Sequence, residues 1–478
     1  MIGHPRETDK ELKEYLRRAE RHPDKTGNVR RDAFRRLLAL AHSEDNGHKK
    51  LATEKIKDYF NDFPALQDEA INTIYDLCED PSSTVRIAGY EAIASVSRVD
   101  KAWLVRNADV LIQLLQSDEK DEVAVVQKAL LEHIDMDPPS VLQVLCDQCG
   151  FDADRLDSDE IALRTRLRTL VLQFLSEKAT RTIERVTRVP GGDAERALFN
   201  GLIPAIPKST LGELEMIVTR IFPLLPSLRV RGTNGDAVLS AVLERTSAAI
   251  KDDLHAASGL SDLPTVRIYL DLAAQVVLRD KAADPLQLIK FYLTSGLVSK
   301  ITLQKLNEDA RLVVISGIAD AWRLCEEMLH NNGTSERTDL LAARTQLVDA
   351  SPIMFEFLSK SGLTDQRSCS ACATLLNACK GRAADSSWLV PNHLSKAVQE
   401  LLAITAPQQN APEGFRTIQI LCRVRNGQLF CVTDPIQLSP LISLSSLFLN
   451  KCRNRSRNHH RRLRRPTRHR ILTIQKVV

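Results

Sequence analysis

A short block recurs along the first part of the chain at equal intervals. Val85-Arg86-Ile87-Ala88 is followed 41 residues later by Val126-Gln127-Lys128-Ala129, and 41 after that by Leu167-Arg168-Thr169-Leu170. Eight residues beyond the head of each block the apolar residue is kept, as Ile93, Ile134 and Leu175. A separation of eight is close to two helical turns, so head and follower fall on one helix face. An acidic turn precedes each block: Glu79-Asp80-Pro81, Asp118-Glu119-Lys120-Asp121 and Asp157-Ser158-Asp159-Glu160. Carboxylates there are placed to cap the next helix and to meet its positive end. A unit of ~40 residues holds two helices but no core of its own, and only stacking on a neighbour covers its apolar face. Val85, Ile93, Val126, Ile134, Leu167 and Leu175 are therefore the expected core positions of a repeat array.

The fold class that follows is all-α, a HEAT/armadillo-like α-solenoid of antiparallel helix pairs. Composition agrees: with 19 Gly in 478 residues and 5% aromatics, the chain is poor in what strand-rich sandwiches and Gly-rich nucleotide loops need. Helices are expected at Asp9–Arg21, Asn28–His42, Lys49–Phe63 and Pro64–Cys78, the last opened by a proline suited to a first turn. The pattern is regular to about residue 180 and looser over 181–380, where Leu211–Leu225, Asp236–Ile250, Pro264–Leu278, Asp284–Leu297 and Glu308–Leu329 read as helices. Pro190-Gly191-Gly192 marks a soft boundary, and Ala406–Pro412 reads as a polar linker. The expected organisation is a HEAT-like region over 1–190, an armadillo-like region over 191–405, and an irregular, basic tail over 406–478.

Charge is unevenly spread. The net charge is +4, yet from Lys451 to the end there are 11 Lys/Arg and no Asp or Glu, which leaves residues 1–450 at −7. The tail arginines Arg453, Arg455, Arg457, Arg461, Arg462, Arg464 and Arg465 are thus candidates for nuclear targeting or for weak nucleic-acid binding through phosphates. The N-terminal pairs Arg17-Arg18, Arg30-Arg31 and Arg35-Arg36 are interleaved with acids and read as a solvated face. The first 25 residues lack the apolar stretch of a signal peptide, and no 18-residue apolar run suggests a membrane span. The ten scattered cysteines then suit a reducing compartment.

Catalytic signatures are missing. The sequence holds no G-x-x-x-x-G-K-[ST], G-x-S-x-G or H-E-x-x-H motif. Cys146-x-x-Cys149 and Cys369-x-x-Cys372 lie about 220 residues apart, whereas the two halves of a zinc site usually lie within ~15–20 residues. Both pairs, with Cys379, read as buried thiols on apolar helix faces. The expectation is a non-enzymatic binding protein with no catalytic residues, cofactor or metal.

Several segments carry a family resemblance: Phe60-Asn61-Asp62-Phe63-Pro64-Ala65-Leu66, Asp68-Glu69-Ala70-Ile71-Asn72, Asp76-Leu77-Cys78-Glu79-Asp80, Leu111-Ile112-Gln113-Leu114-Leu115-Gln116-Ser117-Asp118 and Ala129-Leu130-Leu131. In register and spacing they resemble the apoptosis inhibitor 5 family, well over about 45–180 and poorly after 400. The resemblance implies a HEAT/armadillo-like nuclear scaffold that restrains apoptosis by protein–protein contacts. It implies partners of the Acinus type, a nuclear factor linked to chromatin condensation, and of the fibroblast growth factor 2 type. The family's late leucine-zipper-like segment has no sustained heptad here, since Leu389, Leu394 and Leu401 break the spacing. The alternative reading is an RNA- or chromatin-associated adaptor that works through the basic tail.

Overall fold

The computed structural model describes residues 9–151, 157–257, 259–331, 334–361, 363, 365–383 and 390–405, together with 424–425 and 428–429. The seven tail arginines and the 406–412 linker lie outside these residues. The helices of the first half are α1 (Asp9–Glu20), α2 (Asn28–Leu40), α3 (Asn46–Ile56), α4 (Gln67–Cys78), α5 (Ser83–Val99), α6 (Leu104–Leu114), α7 (Lys120–Met136), α8 (Pro138–Asp147), α9 (Ser158–Gln173), α10 (Thr180–Val186), α11 (Asp193–Leu202) and α12 (Leu211–Met216). The second half contains α13 (Thr233–Ala256), α14 (Pro264–Ala274), α15 (Pro285–Thr294), α16 (Lys300–Lys305), α17 (Glu308–Asn331), α18 (Thr334–Lys360), α19 (Gln366–Ala383) and α20 (Asn392–Thr405). Two two-residue strands, Val424–Arg425 and Gln428–Leu429, pair antiparallel.

Short turns join successive helices into antiparallel pairs, and the pairs stack in two layers. One layer runs α2, α4, α6, α8, α11 and the other α3, α5, α7, α10. Hydrogen bonds between layer neighbours fix their direction. Arg86 in the first turn of α5 meets Glu122 in the first turn of α7, and Ser97 near the end of α5 meets His133 near the end of α7. Helices one pair apart therefore run parallel, as a translated repeat requires.

These contacts join residues 36 apart, not 41. The helices α5, α7 and α9 begin at Ser83, Lys120 and Ser158, which are 37 and 38 residues apart. A 41-residue offset thus overshoots the structural repeat by about one helical turn. A shift of one turn returns to the same face, so Val85, Ile93, Val126, Ile134, Leu167 and Leu175 are all still buried. Leu175 lies beyond α9 proper, in the π-helical turn Phe174–Lys178.

The acidic turns do not all cap. Asp157 accepts from the backbone N–H groups of Asp159 (3.0 Å) and Glu160 (2.8 Å) and caps α9. Asp80 instead accepts from the Ser82 N–H and pairs with Lys49 of α3, and Glu119 makes no capping bond. At Asp80 a cation of the preceding pair, Lys49, is within reach, and the carboxylate bonds to it.

After α12 the repeat lengthens. The α13–α15 contacts Ser240–Gln287 and Asp236–Asp284 join residues 47 and 48 apart, and Ser316–Arg367 of α17 and α19 spans 51. Longer helices account for it: α13 and α17 have 24 residues each and α18 has 27. One apolar core runs through both halves from Leu12 to Leu401.

Gly235, in the first turn of α13, is a tight point in this second half. A Cβ there would lie 1.9 Å from the carbonyl oxygen of Ala282, which already accepts from Gly232 N–H at 3.1 Å. Backbone cannot swing aside as a side chain can, so Gly235→Ala is expected to cost about 3 kcal/mol by overpacking. Gly212, on an open part of α12, has nothing within 4 Å of its Cβ position, so Gly212→Ala should be neutral or stabilising by up to about 1 kcal/mol. Thermal melts of the two variants check the contrast, and similar midpoints would refute the tight approach.

Candidate interaction surface

The polar groups between stacked pairs mostly hold the array together. Arg30 corrects the solvated reading of the N-terminal arginines, because its side chain is buried. Its guanidinium donates to the carbonyls of Ala19 (3.2 Å), Glu20 (3.3 Å), Lys25 (3.2 Å) and Asp58 (3.2 Å), pairs with Asp62, and lies 4.6 Å from the Tyr59 ring centre. A guanidinium tolerates burial when its donors all find acceptors, and the carbonyls of Ala19 and Glu20 at the end of α1 supply two. Arg36 sits over Tyr15 and Arg31 over Phe63.

A buried hydrogen-bonded chain crosses four helices. Tyr75 Oη donates to Asn107 Oδ1 (2.7 Å), and Asn107 Nδ2 donates to Ser97 Oγ (2.8 Å). The carbonyl of Ala129, 2.7 Å from His133 Nδ1, can only accept, so the proton sits on Nδ1 and Nε2 accepts from Ser97 Oγ at 2.9 Å. Burial pushes the His133 pKa down, which keeps the ring neutral. The chain is a structural tie between α4, α5, α6 and α7, with Tyr75 its half-buried end.

The cysteines are likewise internal. Cys146, Cys149, Cys369, Cys372 and Cys379 are all buried. Burial raises the Cys149 thiol to about 12 and the Cys146 thiol well above its ordinary value, so neither is a thiolate at neutral pH. Among the described residues no three His, Cys, Asp or Glu side chains gather to hold a metal ion, and no helix is long and apolar enough to cross a membrane. A cleft of about 370 Å³ between α17, α18 and α19 mixes Glu308, Asp309 and Asp365 with Arg311 and Lys360. Arg311 and Lys360 both lie on the Phe357 ring, at 5.0 and 5.6 Å, and Lys360 also pairs with Glu356 at 2.7 Å, so these cations are already engaged.

A second concavity has one dominant charge. It measures about 610 Å³ and is lined by Arg181, Glu184, Arg185, Arg188, Leu224, Pro226 and Arg229. Arg181 and Arg185 are four residues apart on α10, hence on one face, and Arg188 follows just past its end. Arg229 is brought opposite by the 3-10 turn Pro226–Leu228. Its guanidinium donates to the carbonyls of Pro223 (3.3 Å) and Leu224 (3.2 Å), with Glu184 3.7 Å away. Arg185 is held by Asp135 at 2.5 Å. Arg181 and Arg188 are exposed and have no ion-pair or hydrogen-bond partner among the described residues. The residues after two of these arginines, Val189 and Val230, are 70% and 69% exposed. None of the four was among the sequence candidates: the i, i+4, i+7 spacing of Arg181, Arg185 and Arg188 is the signal that points to three of them, and Arg229 joins them only through the fold.

Comparison with known proteins bears on the same half of the chain. The chain is 35% identical over 148 residues to apoptosis inhibitor 5 of Gallus gallus, covering 29% of this chain and 28% of that one. It is 35% identical over 136 residues to the Homo sapiens protein (28% and 26%) and 33% over 117 residues to the Drosophila melanogaster homolog (24% and 22%). The matched segments thus span about a quarter of the length of these relatives. Among solved structures, Kap121p bound to Nup53p aligns at 12% identity with a TM-score of 0.31 over 83% of this chain and 46% of its own, a likeness too slight to argue from. The model of the family described as apoptosis inhibitory protein 5 matches residues 11–243, from α1 into α13. The similarity to the apoptosis inhibitory protein 5 family therefore lies in this stacked helical region, a little under half of the chain.

Proposed function

We propose that the chain is a non-enzymatic protein-binding scaffold that restrains apoptosis through protein–protein contacts in the nucleus. The observation that carries this reading is the coincidence of the family match over 11–243 with a stacked array whose described cysteines are all buried. An extended surface with its thiols and histidine tie buried is built to be touched and not to turn over substrate. In this reading 1–190 and 191–405 are two helical regions of one scaffold, 406–478 is its basic extension, and partners of the Acinus or fibroblast growth factor 2 type are candidates for its surface.

The test is complementation. Cells lacking their own relative are given the full chain or a form without 451–478, each fused to a fluorescent protein at matched expression, and challenged with an apoptotic stimulus. The full chain should collect in the nucleus and lower caspase activation. The shortened form, whose net charge falls from +4 to −7, should shift to the cytoplasm with an unchanged melting midpoint. Equal caspase activation with and without the full chain would sink the apoptotic role. Unchanged nuclear accumulation would sink the tail's role.

The adaptor alternative has one observation in its favour, the 11 Lys/Arg without an acid from residue 451 on. It requires nucleic-acid binding that falls steeply with salt and vanishes with the tail.

A further inference from the structure

We propose that the arginine groove between α10 and the turn at Pro226–Leu228 binds an acidic, aliphatic-bearing segment of a partner protein. The proposal rests on the protein-binding reading and narrows it to one surface and one partner chemistry.

Four guanidinium groups face one carboxylate in the lining, on a body whose residues 1–450 carry a net −7. Such a local reversal of sign attracts an anion to one place and not to the whole surface. The four arginines divide by role. Arg185 and Arg229 are held in place, by Asp135 and by the carbonyls of Pro223 and Leu224. Arg181 and Arg188 have no partner among the described residues, so their forks remain available for carboxylates. The two engaged arginines frame the groove, and Arg181 and Arg188 supply the charges that a ligand's carboxylates would meet.

The remaining lining selects the class of anion. Leu224 and Pro226 give the groove an apolar floor, and Val189 and Val230 leave aliphatic surface beside it. Among the described residues no aromatic ring lines it, so a nucleic-acid strand finds no stacking platform there. An extended segment alternating Asp or Glu with Val or Leu meets both features: carboxylates on the arginines, aliphatic groups on the floor and rim.

The test uses the full chain. The probe is a fluorescent peptide of alternating Glu and Val, about twelve residues long, carrying a photo-cross-linker. A peptide with Lys for Glu and an oligo-uridine RNA of equal length serve as comparisons. The Glu–Val peptide should bind, cross-link within 181–189 and 224–230, and lose about tenfold or more in affinity in Arg181→Glu/Arg188→Glu, since each lost charge-assisted bond carries roughly that much. Arg181→Ala/Arg188→Ala should lose less, and both variants should keep the parent melting midpoint because neither arginine is engaged. Cross-links confined to the tail, an affinity unchanged by both variants, or RNA losing more affinity than the peptide would each overturn the proposal. If the peptide fails while the variants still protect cells in the complementation test, the groove assignment falls and the scaffold reading stands.

Discussion

Glu213→Ala is expected to destabilise the protein by about 3–5 kcal/mol, as removal of one member of a buried ion pair does. Glu213 ties the start of α12 to α9, and its side chain is only 2% exposed against 5% for Arg168. Its carboxylate accepts from Arg168 Nε (3.1 Å) and Nη2 (3.0 Å), from Thr169 Oγ1 (2.7 Å) and from the Thr210 N–H (2.8 Å). Burial alone pushes the Glu213 pKa up, but the bonds from Arg168, Thr169 and Thr210 outweigh it, so the group stays ionised. Alanine leaves the Arg168 guanidinium buried against Phe151 with no counter-charge, and it removes the capping box of α12. The paired change Arg168→Met/Glu213→Leu should cost clearly less than Glu213→Ala alone, because it strands no charge. Denaturant melts of Arg168→Met, Glu213→Leu and the pair form the cycle. A pair costing the sum of its singles would show that the two residues do not depend on each other.

What the sequence made legible follows from which signals are local. Helix positions were readable because Pro64, the Pro190-Gly191-Gly192 break and the apolar stripes act over a few residues. The six repeat positions were found at an interval one turn too long, and their burial hid the error because a one-turn shift keeps the face. Only contacts between pairs reveal the true offset. Arg86 stood in the recurring block, yet its partner Glu122 lies 36 residues on, where the 41-residue alignment places nothing of note. The long second half was legible as helices but not as repeats, because α13, α17 and α18 stretch the interval to 47–51 residues. Arg30 was misread for a related reason. Its acceptors are mainly backbone carbonyls of other segments, and a sequence pattern does not show which carbonyls a helix end leaves free. The groove was half visible: helical spacing gives Arg181, Arg185 and Arg188, and the turn after Leu225 supplies Arg229.

Glu122→Ala is expected to cost about 3 kcal/mol at neutral pH, near the lower end for a broken buried pair. The reason for the lower end is Arg86, whose side chain is 23% exposed and keeps the carbonyls of Asp80 (2.7 Å) and Pro81 (3.0 Å) when Glu122 is gone. The buried Tyr90 hydroxyl (2.9 Å) and Ser117 (3.2 Å) lose their acceptor as well. The hydrogen bond from Arg86 holds the Glu122 carboxyl at about 2, below its ordinary 4.5. Lowering a folded-state carboxyl pKa makes the unfolded chain bind the proton first as pH falls, so this contribution is full above about 4.5 and is lost as pH drops through about 2. His133, on the same helix, has the same sign at higher pH: held neutral by burial, it stops favouring the folded state as pH falls below the ordinary histidine value of 6.5. The parent should therefore weaken in two stages on acidification. The gap between parent and Glu122→Ala should stay constant through the histidine stage and narrow only below about pH 4.5. Unfolding midpoints of both proteins from pH 7.5 to 2.5 measure it. A gap that closes already between pH 7 and 5, or one that persists undiminished at pH 2.5, would mean that the Arg86–Glu122 bond does not set the joint between α5 and α7.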